Sequence, residues 1–245
     1  MSKRKSSAVR KEDDNVRFIK PKFMATRENI TPLVPLNNLQ AEYIHLINNK
    51  KMVIATGLAG TSKTYIPTVM ACDMWRTGEI NKIYISRPNI SSSQSLGFFS
   101  GSVVEKMTNW LMPVLETMNR RLGKGVVDIA IRDGAISFLP METIKGNSFG
   151  PDTFVIVDEA EDLTAKEAEV LVCRSGGCKM VLAGDIEQSD LGPDNGLGYL
   201  KRIVEKNQDL QKFVGFVDFN SPDHIVRSKE CKAWILALRK ESKKK

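Results

Sequence analysis

Five near-continuous apolar runs set the frame of this chain: "KMVIAT" (51–56), "NKIYISRP" (81–88), "TFVIVDEA" (153–160), "CKMVLAGD" (178–185) and "FVGFVDF" (213–219). Runs with so little polar alternation suit strands buried on both faces, as in parallel sheets. Helical patterns lie between them, near 63–77, 102–122, 164–174, 195–206 and 222–240. Strand alternating with helix demands right-handed crossovers and puts helices on both faces of a mostly parallel sheet. The expected fold class is therefore α/β. One excursion, "VVDIAIRDGAISFLP" (126–140), reads as a hairpin turning at Asp133-Gly134.

The strand–helix pattern starts after residue 30, and charge separates the ends from the middle. Residues 1–22 carry a net +5 and residues 239–245 a net +4; against +7 for all 245 residues, the stretch between is at −2. The division expected is a basic, flexible arm over 1–30, a single domain over 31–238, and a basic tail over 239–245. Such tails attract phosphate backbones by releasing counterions. No run of about 18 apolar residues exists, so no membrane partner is expected. The N-terminal charges are not followed by an apolar stretch, which argues against a secretory signal. Cys72, Cys173, Cys178 and Cys231 form no C-x-x-C pair, and with two histidines no zinc spacing arises. Reduced thiols in a cytoplasmic protein are the expectation.

Residues 57–64, "GLAGTSKT", follow the first apolar run and precede a helical pattern. The phosphate-binding P-loop is G-x-x-x-x-G-K-[ST], and every fixed position but one is met. Gly57, Leu58, Ala59, Gly60 and Thr61 form its first part, and Ser62 stands at the second glycine. Strand, loop and helix in this order aim backbone N–H groups at phosphates. Lys63 is expected on the β- and γ-phosphates of ATP, and the Thr64 hydroxyl on Mg²⁺. If position 62 needs a positive φ, a serine there costs about 1–2 kcal/mol. That cost is small beside the charge-assisted hydrogen bonds that hold a triphosphate.

The run "TFVIV" ends in Asp158-Glu159. Two acids at the C-terminal end of a buried strand stand where ligands bind in open α/β sheets. Asp158 suits Mg²⁺ through water, and Glu159 suits the general base for an attacking water. Alternatively, acids here serve the N-terminus of the next helix, a task open to Glu161 and Asp162. A further run ends in Gly184-Asp185, and Gln188 beyond it is placed to reach the γ-phosphate water or to be an ordinary loop residue. Asn37 or Asn38 caps a helix before the P-loop strand. Gln40 in its first turn either reads an adenine edge or lies on the surface.

Taken in order, Gln40, "GLAGTSKT", "ISRP" (85–88), "LGFFSG" (96–101), "VDEAEDL", "SGGCKMVLAGDIEQSDL" and "SPDHIVR" (221–227) resemble the PhoH-like family over about residues 35–238. These are phosphate-starvation-inducible ATPases with a core like that of superfamily 1 helicases. The resemblance implies a RecA-like fold, ATP hydrolysis with Mg²⁺, a ring-shaped homo-oligomer (a hexamer), and links to RNA or DNA. It also implies that Arg227 is an arginine finger. The chain departs from the pattern at Ser62 for Gly, Leu58 for Pro, Glu161 for Gln, and Lys145 in a usually Arg-bearing segment.

The chain has residues for one RecA-like lobe, so a finger from a second lobe must come from another subunit; head-to-tail contacts of that kind close into rings. Arg227 is accordingly expected in an early helical turn, crossing an interface, with a local pair to Asp223 as the plainer alternative and Arg174 as the other candidate finger. Phe98-Phe99 with Arg87 either stack on and clamp a nucleic-acid strand or, in a Gly-flanked loop, plug a core or subunit contact. Three activities compete. They are an ATPase remodelling RNA or DNA, a nucleic-acid-binding protein with little turnover, and a small-molecule kinase. Glu159 beside Asp158 suits water activation and so disfavours the kinase.

Overall fold

The computed structural model describes residues 31–88, 111–189, 191–192 and 194–242. The expected arm over 1–30 and the pair Phe98-Phe99 lie outside these residues. So do residues 102–110 of the expected helix and the last three residues of the tail.

The chain opens with α1 (Asn38–Asn49), whose first turn is capped by the Asn37 side chain accepting from Gln40 N–H. Then follow β1 (Met52–Gly57), α2 (Tyr65–Arg76), β2 (Lys82–Arg87), α3 (Met112–Leu122), α4 (Lys124–Arg132) and β3 (Ile136–Pro140). The second half runs β4 (Thr153–Val157), α5 (Ala165–Val172), β5 (Lys179–Gly184), α6 (Gly196–Glu205), the single turn α7 (Gln208–Gln211), β6 (Val214–Phe219) and α8 (Lys229–Ser242). The strands form one sheet in the order β3-β2-β4-β5-β1-β6, and every neighbouring pair is parallel. This is the α/β P-loop NTPase fold, RecA-like in having one strand, β5, between the P-loop strand and the acidic strand.

Alternate strand residues enter opposite layers. Val53, Ile85, Ile156 and Val181 pack with Tyr43, Ile66, Trp75 and Met118 from α1 to α3. Ile54, Val155, Met180 and Leu182 pack with Phe149, Leu171 and Leu197. All six residues of β1 and all five of β4 are buried, which explains their unbroken apolar runs.

The expected hairpin over 126–140 is corrected. Its first half is the helix α4, which buries Val127 and Ala130, three residues apart, while Val126 and Ile129 face outward. Gly134 at φ 73° ends that helix, with Ala135 N–H bonded to Ala130 C=O and Gly134 N–H to Ile131 C=O. These are the bonds of a glycine C-cap rather than a strand turn. The second half is β3, a parallel edge strand beside β2. "VVDIAIR" satisfies both periods, and only the layer above the sheet decides between them.

The expected helix over 222–240 is also corrected. Pro222–His224 form one 3₁₀ turn, and α8 begins at Lys229. Between them Ile225 turns inward and Val226 N–H donates to Gly60 C=O at 3.0 Å, which takes the backbone out of the helical path. Residue 239 is not part of a tail. Arg239, within α8, donates from Nε and Nη2 to Glu187 at 2.8 and 2.6 Å.

Gly57 is where the sheet and the loop constrain each other. It has φ 114°, and a Cβ on it would lie 2.5 Å from the Phe219 carbonyl carbon of β6. Gly57→Ala is expected to cost about 2 kcal/mol or more, from backbone strain and the clash with main chain. Urea denaturation checks this; a loss below about 0.5 kcal/mol, the size of an ordinary surface change, would contradict the crowding.

Candidate active site

A cleft of about 640 Å³ opens at the C-terminal ends of β1, β4 and β5. Ala59 to Thr64 line it, together with Asp158, Glu159 and Gln188. The sheet therefore brings together most of the residues singled out from the sequence. Gly57 and Leu58 lie beneath the lining, with Leu58 1% exposed and its N–H bonded to Phe219 C=O.

The loop takes its shape from side chains below it. Tyr43 Oη donates to Lys63 C=O at 2.8 Å, and Thr61 Oγ1 donates to Leu58 C=O at 2.9 Å. Gln40, 2% exposed, spans the entry: its Oε1 accepts from Leu36 N–H and its Nε2 donates to Thr61 C=O. Its amide thus holds the P-loop, and the surface position does not describe it. Ser62 has φ 73°, the left-handed conformation for which a glycine is the easier residue. Lys63 Nζ folds back onto the carbonyls of Gly57 and Leu58 at 2.5 and 2.7 Å.

Thr64 Oγ1 donates to Asp158 Oδ1 at 2.5 Å, joining the two expected magnesium ligands. Among the described residues no group of three or more His, Cys, Asp or Glu is arranged to hold a metal. A hydroxyl beside one carboxylate nevertheless fits Mg²⁺, which takes few protein ligands and the rest from phosphates and water. Glu159 follows in the left-handed region at φ 51°, a strained position for a non-glycine residue. Its Oε1 meets Arg87 Nη2 at 3.4 Å. Arg87, expected on a nucleic-acid strand, thus reaches the acid at the tip of the neighbouring strand.

Three further residues complete the wall. Asp185, 5% exposed, accepts from Gln188 Nε2 at 2.8 Å and from Glu187 N–H. Glu161, 3% exposed, lies in a 3₁₀ turn and not in the first turn of α5, which Thr164 and Glu167 cap between themselves. Arg227 lies over its own chain's loop, with its Cγ 2.6 Å from where a Cβ on Gly60 would stand. It lines its own chain's cleft, in the stretch before α8 rather than within a helix. Lys232, not Arg227, pairs with Asp223. Arg174 is exposed, in the turn between α5 and β5 at the opposite end of the strands.

Sequence reasoning gave Asp185 no role and offered Glu161 only a helix-terminal one. The signal for both was Gly184, which a backbone needs where another group comes close. A Cβ there would be 2.0 Å from Glu161 Oε2.

Burial lowers the pKa of Lys63, and the carboxyl groups of Asp185, Glu161, Glu159 and Asp158 pull it back up. Burial also raises Asp158, against the hydrogen bond from Thr64, and raises Asp185, against the charge of Lys63. Glu161 is pushed up to about 9, first by burial and then by the neighbouring carboxyl of Glu159. Arg87, Arg120 and Arg227 line the same cleft, so Lys63 is not the sole positive charge facing these carboxyl groups.

A family model described as PhoH-like protein matches residues 32–239. Protein PhoH of Escherichia coli (strain K12) is 30% identical over 210 residues, 84% of this chain and 58% of that protein. A PhoH-like protein of Bacillus subtilis (strain 168) is 32% identical over 169 residues, 68% of this chain and 53% of that one. The chain thus spans little more than half the length of these relatives. Among solved structures, the UvsW helicase from bacteriophage T4 aligns at a TM-score of 0.45 and 12% identity, over 78% of this chain and 61% of that one. The Pif1 helicase from Candida albicans aligns at 0.36 and 11%, over 78% and 42%. No helix among the described residues is long and apolar enough to cross a membrane.

Glu161 makes stability depend on pH. The folded chain keeps its proton up to about pH 9, whereas an unfolded glutamate loses it near the ordinary carboxylate range. Stability is therefore lost as pH rises between these limits, and Glu161→Gln, which has no proton to lose, escapes that loss. The melting temperature of Glu161→Gln relative to wild type should climb from about pH 5 to about pH 8 without nucleotide. A difference flat across that range would contradict a buried neutral acid.

Proposed function

The chain belongs to the PhoH-like family, and from that membership and the cleft we propose that it binds ATP with magnesium and hydrolyses it, as a cytoplasmic ring of identical subunits, a hexamer, acting on RNA or DNA. One observation carries the hydrolytic reading: Lys63, Thr64, Asp158 and Glu159 share a cleft, with Thr64 bonded directly to Asp158. Magnesium, when bound, would neutralise charge on the phosphates and be held by Thr64 and, through water, by Asp158. Lys63 exchanges the carbonyls of Gly57 and Leu58 for the β- and γ-phosphates. The backbone N–H groups of the loop and the N-terminus of α2 point toward the same oxygens. Glu159 accepts a proton from the attacking water while Arg87 holds its other side.

Arg227 acts on the γ-phosphate of its own subunit in this scheme, because its stem already rests on Gly60 of the same chain. The nucleic-acid partner is supported by net charges of +5 over residues 1–22 and +4 over 239–245. A ring collects these segments and raises their effective concentration on one strand. A slow-turnover, nucleic-acid-binding role is favoured by one feature, the strained Ser62 at φ 73°. ATP hydrolysis with and without RNA separates the two readings.

Lys63→Ala is expected to abolish ATP binding, and Glu159→Gln to bind ATP normally but lose turnover by about 10²-fold or more. Equilibrium binding and steady-state phosphate release check both. Wild-type turnover in folded Glu159→Gln removes it as base, and wild-type affinity in Lys63→Ala removes the P-loop reading. For Arg227 the measurement is subunit mixing. Lys63→Ala subunits combined with Arg227→Ala subunits should stay inactive at every ratio, since each active cleft needs both residues from one chain. Recovered activity would place Arg227 in a neighbour's cleft.

A further inference from the structure

The C-terminal helix α8 keeps its apolar face in the open. None of the residues from Lys229 to Glu241 is buried. Yet Cys231, Trp234, Ile235 and Leu238 recur at i, i+3, i+4 and i+7, the spacing of a stripe that a helix buries. Ile235 is half-buried, Cys231 is exposed, and Trp234 and Leu238 are 69 and 63% exposed. Polar pairs tie the helix to the domain, Arg239 on Glu187 at 2.6 Å and Lys232 on Asp223 at 3.7 Å. A helix of 14 residues gains little from propensity alone and takes its stability from covering such a face.

A second uncovered apolar face lies at the other end of the sheet. β3 and β6 are the two outer strands; α4 packs on β3, whereas α8 follows β6. On α4, Val126 and Ile129, three residues apart, are 42 and 51% exposed. The charges beside the two faces are opposite. Glu230 stands one turn before Trp234 on α8. Arg132 stands one turn after Ile129 on α4, its side chain 73% exposed although it also meets Asp133 at 3.1 Å. An acid next to Trp234 works against a phosphate backbone at this stripe and in favour of a surface with an arginine at its edge.

We propose that these two faces meet between copies of this chain: Trp234 and Leu238 on α8 of one subunit dock on Val126 and Ile129 on α4 of the next. The proposal rests on the reading of the protein as a ring of identical subunits and names the surfaces that make the ring. The contact is head-to-tail, because the two faces differ and lie at opposite ends of one sheet. Every subunit then offers one face of each kind, and the series ends only when it closes on itself. Glu230 of one subunit comes beside Arg132 of the next, which gives the contact its polarity. The apolar pairs supply the buried centre and the charges the rim.

The test weighs the full chain by analytical ultracentrifugation with ATP and magnesium. It compares wild type, an α8 variant (Trp234→Ser with Leu238→Ser) and an α4 variant (Val126→Ser with Ile129→Ser). All four positions are exposed, so both variants should keep the wild-type circular dichroism. Wild type should be larger than a dimer, and each variant alone should be monomeric at concentrations where wild type is assembled. Mixed one to one, the two variants should give a dimer and nothing larger, since one intact face of each kind remains. Benzoylphenylalanine in place of Trp234, irradiated with RNA present, should cross-link to α4 of a second subunit; this decides the matter if a serine variant does not fold. The proposal is overturned if either folded variant assembles as wild type does, or if the mixture gives no dimer. It is overturned equally by a cross-link to α8 of a second subunit, to RNA or within the same subunit. A wild type that stays monomeric with ATP and magnesium sinks the ring reading and the proposal with it, whereas wild-type rings in both variants sink the proposal alone.

Discussion

The cleft depends on how little β5 places at its own tip. This strand lies between the P-loop strand and the acidic strand, so their ends are two strand spacings apart, about 10 Å. A ligand must occupy the space above the intervening strand, and β5 ends there in Ala183-Gly184. The room above Gly184 is shared with the Glu161 carboxyl, which a single added carbon would displace. Opening the cleft and burying an acid beside it are thus one structural choice. A Cβ at 184 would crowd the Glu161 carboxyl and its backbone nitrogen.

Backbone strain is concentrated around the same opening. Gly57, Gly60, Ser62 and Glu159 all have positive φ, and the last two are the non-glycine residues with that geometry among those described. Each is tied down locally. Ser62 C=O accepts from Ile66 N–H at the start of α2, and Glu159 C=O accepts from Asp162 N–H in the turn that carries Glu161. Strain of this kind persists only where surrounding contacts over-determine the conformation. Tyr43 and Gln40, both buried, supply those contacts to the loop from α1. The helix before the P-loop therefore acts on the site as a brace.

Much of this architecture was legible in the residues, because buried strands write themselves as apolar runs and phosphate loops as glycines before a lysine. β1, β2, β4, β5 and β6 fall on the expected runs within a few residues. What was hidden depended on distant neighbours. "VVDIAIR" fits a strand or a helix until the sheet edge is known, and α4 takes the helical choice. "SPDHIVR" looks like a helix start until Gly60 C=O claims the Val226 N–H. Arg227 was placed in that helix, whereas it lies in the stretch that precedes α8. Glu161 was read as a helix-terminal acid because its burial comes from Gly184, twenty-three positions away in the chain. Side-chain roles that arise from cross-strand proximity leave only a weak mark, here a glycine before an aspartate.

The connection after β6 has a larger hold on the cleft than its position in the chain suggests. It touches the P-loop through Val226 and Arg227 at Gly60, and α8 returns to the opposite wall through the ion pair of Arg239 with Glu187. Glu187 sits beside Gln188, whose amide holds Asp185, one of the carboxyl groups facing Lys63. The segment from Ser221 to Ser242 thus brackets the nucleotide-binding loop on one side and the acidic wall on the other. Trp234 and Leu238, exposed on α8, place apolar surface on the helix that carries the second of these contacts. A shift of α8 along its axis could not leave both contacts in place. The geometry of the P-loop and the position of the C-terminal helix are therefore set together, through packing and one ion pair.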